Sequence, residues 1–101
     1  MAGPLVALCT FDLRIPGMSS LKQKRHVVKT LTASLRGTFN VAVAEVDHQD
    51  LWQRTTIAVS VASGESYQAR KVLHEVAKFI DRFGRVELID SALTLHYPDD
   101  E

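Results

Sequence analysis

Side chains able to do chemistry are densest between Glu45 and Arg54, where the chain reads EVDHQDLWQR. Glu45, Asp47 and Asp50 supply carboxylates, His48 an imidazole, Arg54 a guanidinium and Trp52 the chain's one indole. Asp47, His48 and Asp50 are the nitrogen and oxygen donors of a metal centre or an acid–base pair. On a strand, however, the adjacent Asp47 and His48 point to opposite faces, so the three do not converge unless the tip bends. His26, His48, His74 and His96 are isolated from one another, and no two share a metal-ligand spacing. Cys9 lies inside an apolar run and reads as a small core residue, not a nucleophile. Gly17 and Gly64 are lone turn glycines, not a phosphate-cradling loop. The expectation is a protein without catalytic constellation, cofactor or metal.

A second group precedes it. In SSLKQKR, Ser19 to Arg25, and the segment that follows, Lys22, Arg25, Lys29 and Arg36 fall within about 60° of a helical wheel at 100° per residue. Such a stripe suits phosphate contacts, with Arg54 joining it from the neighbouring stretch. Lys22 and Arg25 lie in the first two helical turns and Lys29 just beyond them, at the end where the helix dipole disfavours cations, so a partner anion would relieve a local mismatch. The plain alternative is a solvated basic face. Lys24 differs from its neighbours because it falls in the apolar stripe beside Leu31 and Leu35, where an unpaired charge is costly. Glu45 is out of place in the same way, continuing the inward series Phe39, Val41, Val43. A structural Lys24–Glu45 ion pair would answer both anomalies, with snorkelling of Lys24 to solvent as the competing account.

The elements that must position these groups follow from periodicity. Leu5 to Ile15 alternates, with Leu5, Ala7, Cys9, Phe11 and Leu13 on one face, and Pro16-Gly17 ends the strand. Ser20 opens a capping-box pattern with Gln23, and Leu21, Val28, Leu31 and Leu35 mark a helix with Gly37 as its stop. Phe39 to Val46 and Trp52 to Ala62 alternate as two strands around a hairpin near His48 to Leu51. Glu65 to Phe83 carries the helical stripe Ala69, Val72, Val76, Phe79, Ile80 and Phe83, with Gly84 as the stop. Val86 to Tyr97 is a last strand. The order β-α-β-β-α-β, with two helices that each bury one stripe, predicts an α+β, ferredoxin-like two-layer sandwich: an antiparallel four-stranded sheet with both helices on one face. Its directions bring the first strand's end, the first helix's start and the hairpin to one edge of the molecule.

Size and composition agree. The 101 residues suit one domain, 1–97, followed by an acidic tail, 98–101. Apolar residues make up 46% and charged ones 24%, and 12 basic and 12 acidic residues leave no net charge, so any polyanion affinity has to come from local clustering. One cysteine, no basic leader and no long apolar run lead to the expectation of a reduced, cytoplasmic setting without a membrane partner.

The two segments SLKQKR and FNVAVAEVDHQDLWQR together resemble a small bacterial family of unknown function, the DUF503 or YlxP-like proteins. These carry S-L-K-x-K-R and F-N-V-x-V-A-E-V-D-x-Q-D-L-W-Q-R motifs, and the likeness spans essentially the whole domain. The resemblance implies a ferredoxin-like fold and, from the translation genes among which the family's genes lie, an association with RNA or the ribosome. It supplies no activity.

Two functional expectations follow from the residues. The first is RNA or ribosomal-subunit binding through Lys22, Arg25, Lys29, Arg36 and Arg54, with His48 and Trp52 as binding candidates at the rim. The sheet lacks the aromatic pattern of an RRM, and Ala42, Ala44, Ala58 and Ser60 are too small to stack bases, so phosphate and shape would be read, not sequence. The second is a protein-interaction module, a homodimer or a heterologous complex through the uncovered sheet face, with Trp52 as anchor.

Overall fold

Alternation builds the sheet. In the computed structural model, which describes residues 3–98, β1 (Leu5–Arg14) buries Leu5, Ala7, Cys9, Phe11 and Leu13 on one side and shows Leu8 and Arg14 on the other. β2 (Ala42–Asp47), β3 (Arg54–Ser63) and β4 (Glu87–His96) complete a four-stranded sheet in the order β2-β3-β1-β4. Every pairing is antiparallel. With α1 (Leu21–Thr38) after β1 and α2 (Ser66–Arg82) after β3, the chain is the ferredoxin-like βαββαβ arrangement. The acidic stretch expected at the C-terminus, Asp99 to Glu101, lies outside the described residues.

The core lies between the helices and one sheet face. Val27, Val28, Leu31 and Leu35 from α1 lie over β2, while Ala69, Leu73, Val76 and Ile80 from α2 cover β3 and β1 in the middle of the sheet, and all belong to one buried cluster. Each fully buried aliphatic side chain of this kind contributes about 1.5–3 kcal/mol. The α2 stripe is turned slightly from the expected one. Leu73 replaces Val72 in the buried series, because positions 69, 73, 76 and 80 follow the i, i+4, i+7, i+11 spacing that faces the sheet squarely. Val72, Phe79 and Phe83 flank it, half-buried.

Capping sets the helix ends. Ser20 accepts a hydrogen bond from the Gln23 amide at 3.1 Å, and the Gln23 side chain reaches back to Ser19, not to Ser20. Gly37 does not stop α1. The helix runs through it to Thr38, and Phe39 takes the capping position, its amide donating to Leu35 and its ring meeting Phe79 edge-on at 6.0 Å. β2 accordingly begins at Ala42, later than alternation alone suggests. Gly84, at φ +81°, does end α2 in the left-handed conformation that glycine adopts without strain.

Candidate functional site at the helix 1 and hairpin rim

One edge of the molecule collects the end of β1, the start of α1, the β2–β3 hairpin, the end of α2 and the start of β4. Lys24 ties two of these together. Its side chain is wholly inaccessible, and its ammonium donates to Glu45 Oε2 at 2.6 Å and to the carbonyls of His48 and Gln49 at 2.9 and 3.0 Å. All three ammonium protons are therefore used. Glu45 Oε2 also accepts from the buried Thr55 hydroxyl at 2.6 Å. The snorkelling alternative does not apply: the charge turns inward because it meets a complete set of acceptors there.

The hairpin tip is shaped by a bulge. Glu45 pairs with Ile57 and Asp47 with Thr56, so Val46 is an extra residue and the strict alternation breaks. Asp47 and His48 were expected on opposite faces, yet both come to Thr56: Asp47 opposes it in the ladder, and His48 Nδ1 lies 3.0 Å from its hydroxyl. Asp47 accepts from the His48 amide at 2.8 Å. His48 itself takes φ +62°, uncommon without glycine, and its carbonyl receives both Lys24 and the Leu51 amide. Those bonds offset the strain of that residue. Among the described residues no three His, Cys, Asp or Glu side chains are arranged to hold a metal.

Two expectations about this stretch need correction. Trp52 does not head β3. It sits in the connection before Arg54, about half exposed, beside the equally exposed Leu51. Arg54 does reach the open sheet face, but it is not a free cation. Its terminal nitrogen lies 2.7 and 2.9 Å from the two carboxylate oxygens of Asp12, which neutralises it within the fold. Alternation along one strand could not show this diagonal contact with Asp12 on β1, which uses up the charge. Cys9 is buried, and burial pushes its thiol up against the smaller opposing effect of a backbone hydrogen bond from Ala92.

The basic stripe is intact. α1 contains Lys22, Lys24, Arg25, Lys29 and Arg36 and not one acidic residue in its 18. Lys22, Arg25, Lys29 and Arg36 are exposed. No ion pair among the described residues takes any of the four. Arg36 donates to the Val43 carbonyl at 3.3 Å, an interaction that orders the side chain without neutralising it. The chain is neutral as a whole, so its charge is segregated: α1 is a basic rod laid over β2. Arg85 was not singled out from sequence. It follows the Gly84 stop and so arrives at the same edge as Lys22, bordering with it a cleft of about 370 Å³ between the β1–α1 connection and the end of α2. Following the chain direction through α2 would have placed it there.

A family model described as a protein of unknown function (DUF503) matches residues 6–93. The chain is 40% identical over 68 residues to the uncharacterized protein YlxP of Bacillus subtilis (strain 168), covering 67% of this chain and 74% of that one. Among solved structures it is similar to a C-terminal segment of the alpha subunit of aIF2 from Pyrococcus abyssi, with a TM-score of 0.47 and 14% identity. That match covers 98% of this chain and 53% of the other, so the chain spans about half its length.

Proposed function

Because the chain belongs to the DUF503 family, whose description leaves its function open, its role has to be read from its own surface, and we propose that it binds RNA by phosphate contacts along α1. The observation that carries this reading is the stripe of Lys22, Arg25, Lys29 and Arg36 on an exposed helix with no acidic residue. From Lys22 to Arg36 the stripe runs about 21 Å at 1.5 Å per residue, enough for several successive phosphates. Trp52, half exposed at the rim, supports this reading by offering an indole face for an unpaired base to stack on. Phosphate contact fixes position without reading sequence, so discrimination between RNA sequences is expected to be weak.

Four contacts to a single strand imply a slope of about −2.8 in log affinity against log salt, hence about a 50-fold loss between 50 and 200 mM. Fluorescence anisotropy with a labelled single-stranded RNA measures it. The variant Arg25→Glu/Lys29→Glu should bind weakly and flatten the slope by about 1.4. Binding unaffected by that double reversal at low salt overturns the proposal.

A second reading rests on the open sheet face. Ala44, Ala58, Thr10 and Ala92 stand in one row across all four strands, a run of small side chains bordered by the exposed Leu8. Such a surface fits self-association. Size-exclusion chromatography with light scattering should then show a dimer that Ala58→Asp dissociates. A strict monomer at high concentration removes this reading.

A further inference from the structure

The cleft at the end of the basic stripe is lined by Gly17, Met18, Lys22, Gln23, His26 and Arg85. Four of these six bring nitrogen groups able to donate hydrogen bonds, and none is a carboxylate. Gln23 adds to the set through an indirect constraint. Its amide oxygen already accepts from the Ser19 amide and the Ser19 hydroxyl, both at 2.8 Å, which leaves its amide nitrogen to donate elsewhere. Lys22, Gln23 and His26 come from one helix and Arg85 from beyond the end of the other, so the donors face the space from two sides. No ion pair among the described residues takes Lys22 or Arg85.

We propose that this cleft seats a terminal phosphate group, either free phosphate or the monoester at the end of a strand. A concave set of donors on two sides can reach several oxygens of one group at once. A terminal phosphate presents three non-bridging oxygens and carries a charge of about −1.5 to −2 near neutrality. A diester within a strand offers two such oxygens and a single charge, and it suits the exposed run of the stripe better than the cleft. Lys22 belongs to both, so a strand lying along α1 would deliver its end to Arg85. In that respect the inference rests on the RNA reading. The cleft chemistry does not, because free phosphate is the same ligand from another source.

The test separates the two. Inorganic phosphate is titrated into the protein and followed by amide NMR. Binding of one RNA 10-mer is then measured with a 5′-phosphate, a 3′-phosphate or neither. Backbone amides of residues 17–26 and of Arg85 should shift saturably with phosphate. One phosphorylated 10-mer should bind about tenfold tighter than the unphosphorylated one, the gain of a charge-assisted interaction of about 1.4 kcal/mol. Arg85→Gln should bring that ratio to about one, and His26→Gln should lower it. Arg85 is exposed, so the variant does not disturb the core. If phosphate saturates the cleft but the 10-mers bind alike, or bind not at all, the cleft stands with free phosphate as its ligand. If all three 10-mers bind equally and phosphate produces no saturable shift, the cleft proposal is overturned while RNA binding stands. A terminal-phosphate preference that survives Arg85→Gln overturns it too.

Discussion

Removal of the Glu45 carboxylate should be the most damaging single change at the rim. Lys24 has no solvent access, and its ammonium holds three acceptors, of which only Glu45 carries charge. Breaking a buried pair by deleting one partner costs about 3–5 kcal/mol, since the surviving charge is stranded. The Glu45 side chain is 20% exposed, which puts the expected loss for Glu45→Ala near the lower end, at about 3 kcal/mol. For a domain of this size that lowers Tm by more than about 12 °C. Glu45→Gln keeps the volume and one acceptor but removes the charge, and a cost of about 1.5 kcal/mol is expected. Lys24→Met fills the same space but leaves the His48 and Gln49 carbonyls without their donor and the Glu45 carboxylate without its counter-ion. That carboxylate reaches solvent and keeps Thr55, so about 2–3 kcal/mol is expected. Urea titration followed by far-ultraviolet circular dichroism gives the global loss. Fluorescence of Trp52, the single tryptophan, reports the hairpin in the same samples. In Lys24→Met the fluorescence transition should precede the dichroism transition, because the hairpin loses its anchor to α1 before the core opens. A loss below about 1 kcal/mol for Glu45→Ala, the range of a solvated surface pair, would refute the reasoning.

Ser20→Ala removes the oxygen that receives the Gln23 amide and should cost about 1 kcal/mol, read from the urea midpoint. Gly37 and Gly84 should respond oppositely to alanine. Gly37 lies inside α1 with open space where a Cβ would go, so Gly37→Ala should stabilise by about 0.5–1 kcal/mol. Gly84, at φ +81°, should lose about 1 kcal/mol or more. Cys9 should resist thiol reagents at pH 8 in the native protein and react stoichiometrically in urea. Its thiol is held up in the fold, so the unfolded chain ionises first and stability falls as pH rises through the unfolded thiol range. In Cys9→Ala that alkaline decline should flatten.

Sequence pattern alone determined the elements, their order and the side that β1, β2 and β3 bury, because these follow from repeats of 2 and 3.6 residues that a local stretch displays. β4, which alternates only in part, is exposed along nearly its whole length. The pattern also exposed the Lys24–Glu45 pair, since two charges standing in apolar series had each other as the available answer. Helix ends were less legible: Gly37 looks like a stop, but whether a glycine ends a helix depends on the conformation the next packed residue imposes, and Phe39 is held against Phe79. What tertiary structure decided lies between segments. The bulge at Val46 turned Asp47 toward Thr56, Asp12 took up the charge of Arg54 from a neighbouring strand, and the end of α2 carried Arg85 to Lys22. Each depends on a distance between residues far apart in the chain, set by strand register and helix placement, and no local periodicity encodes such a distance.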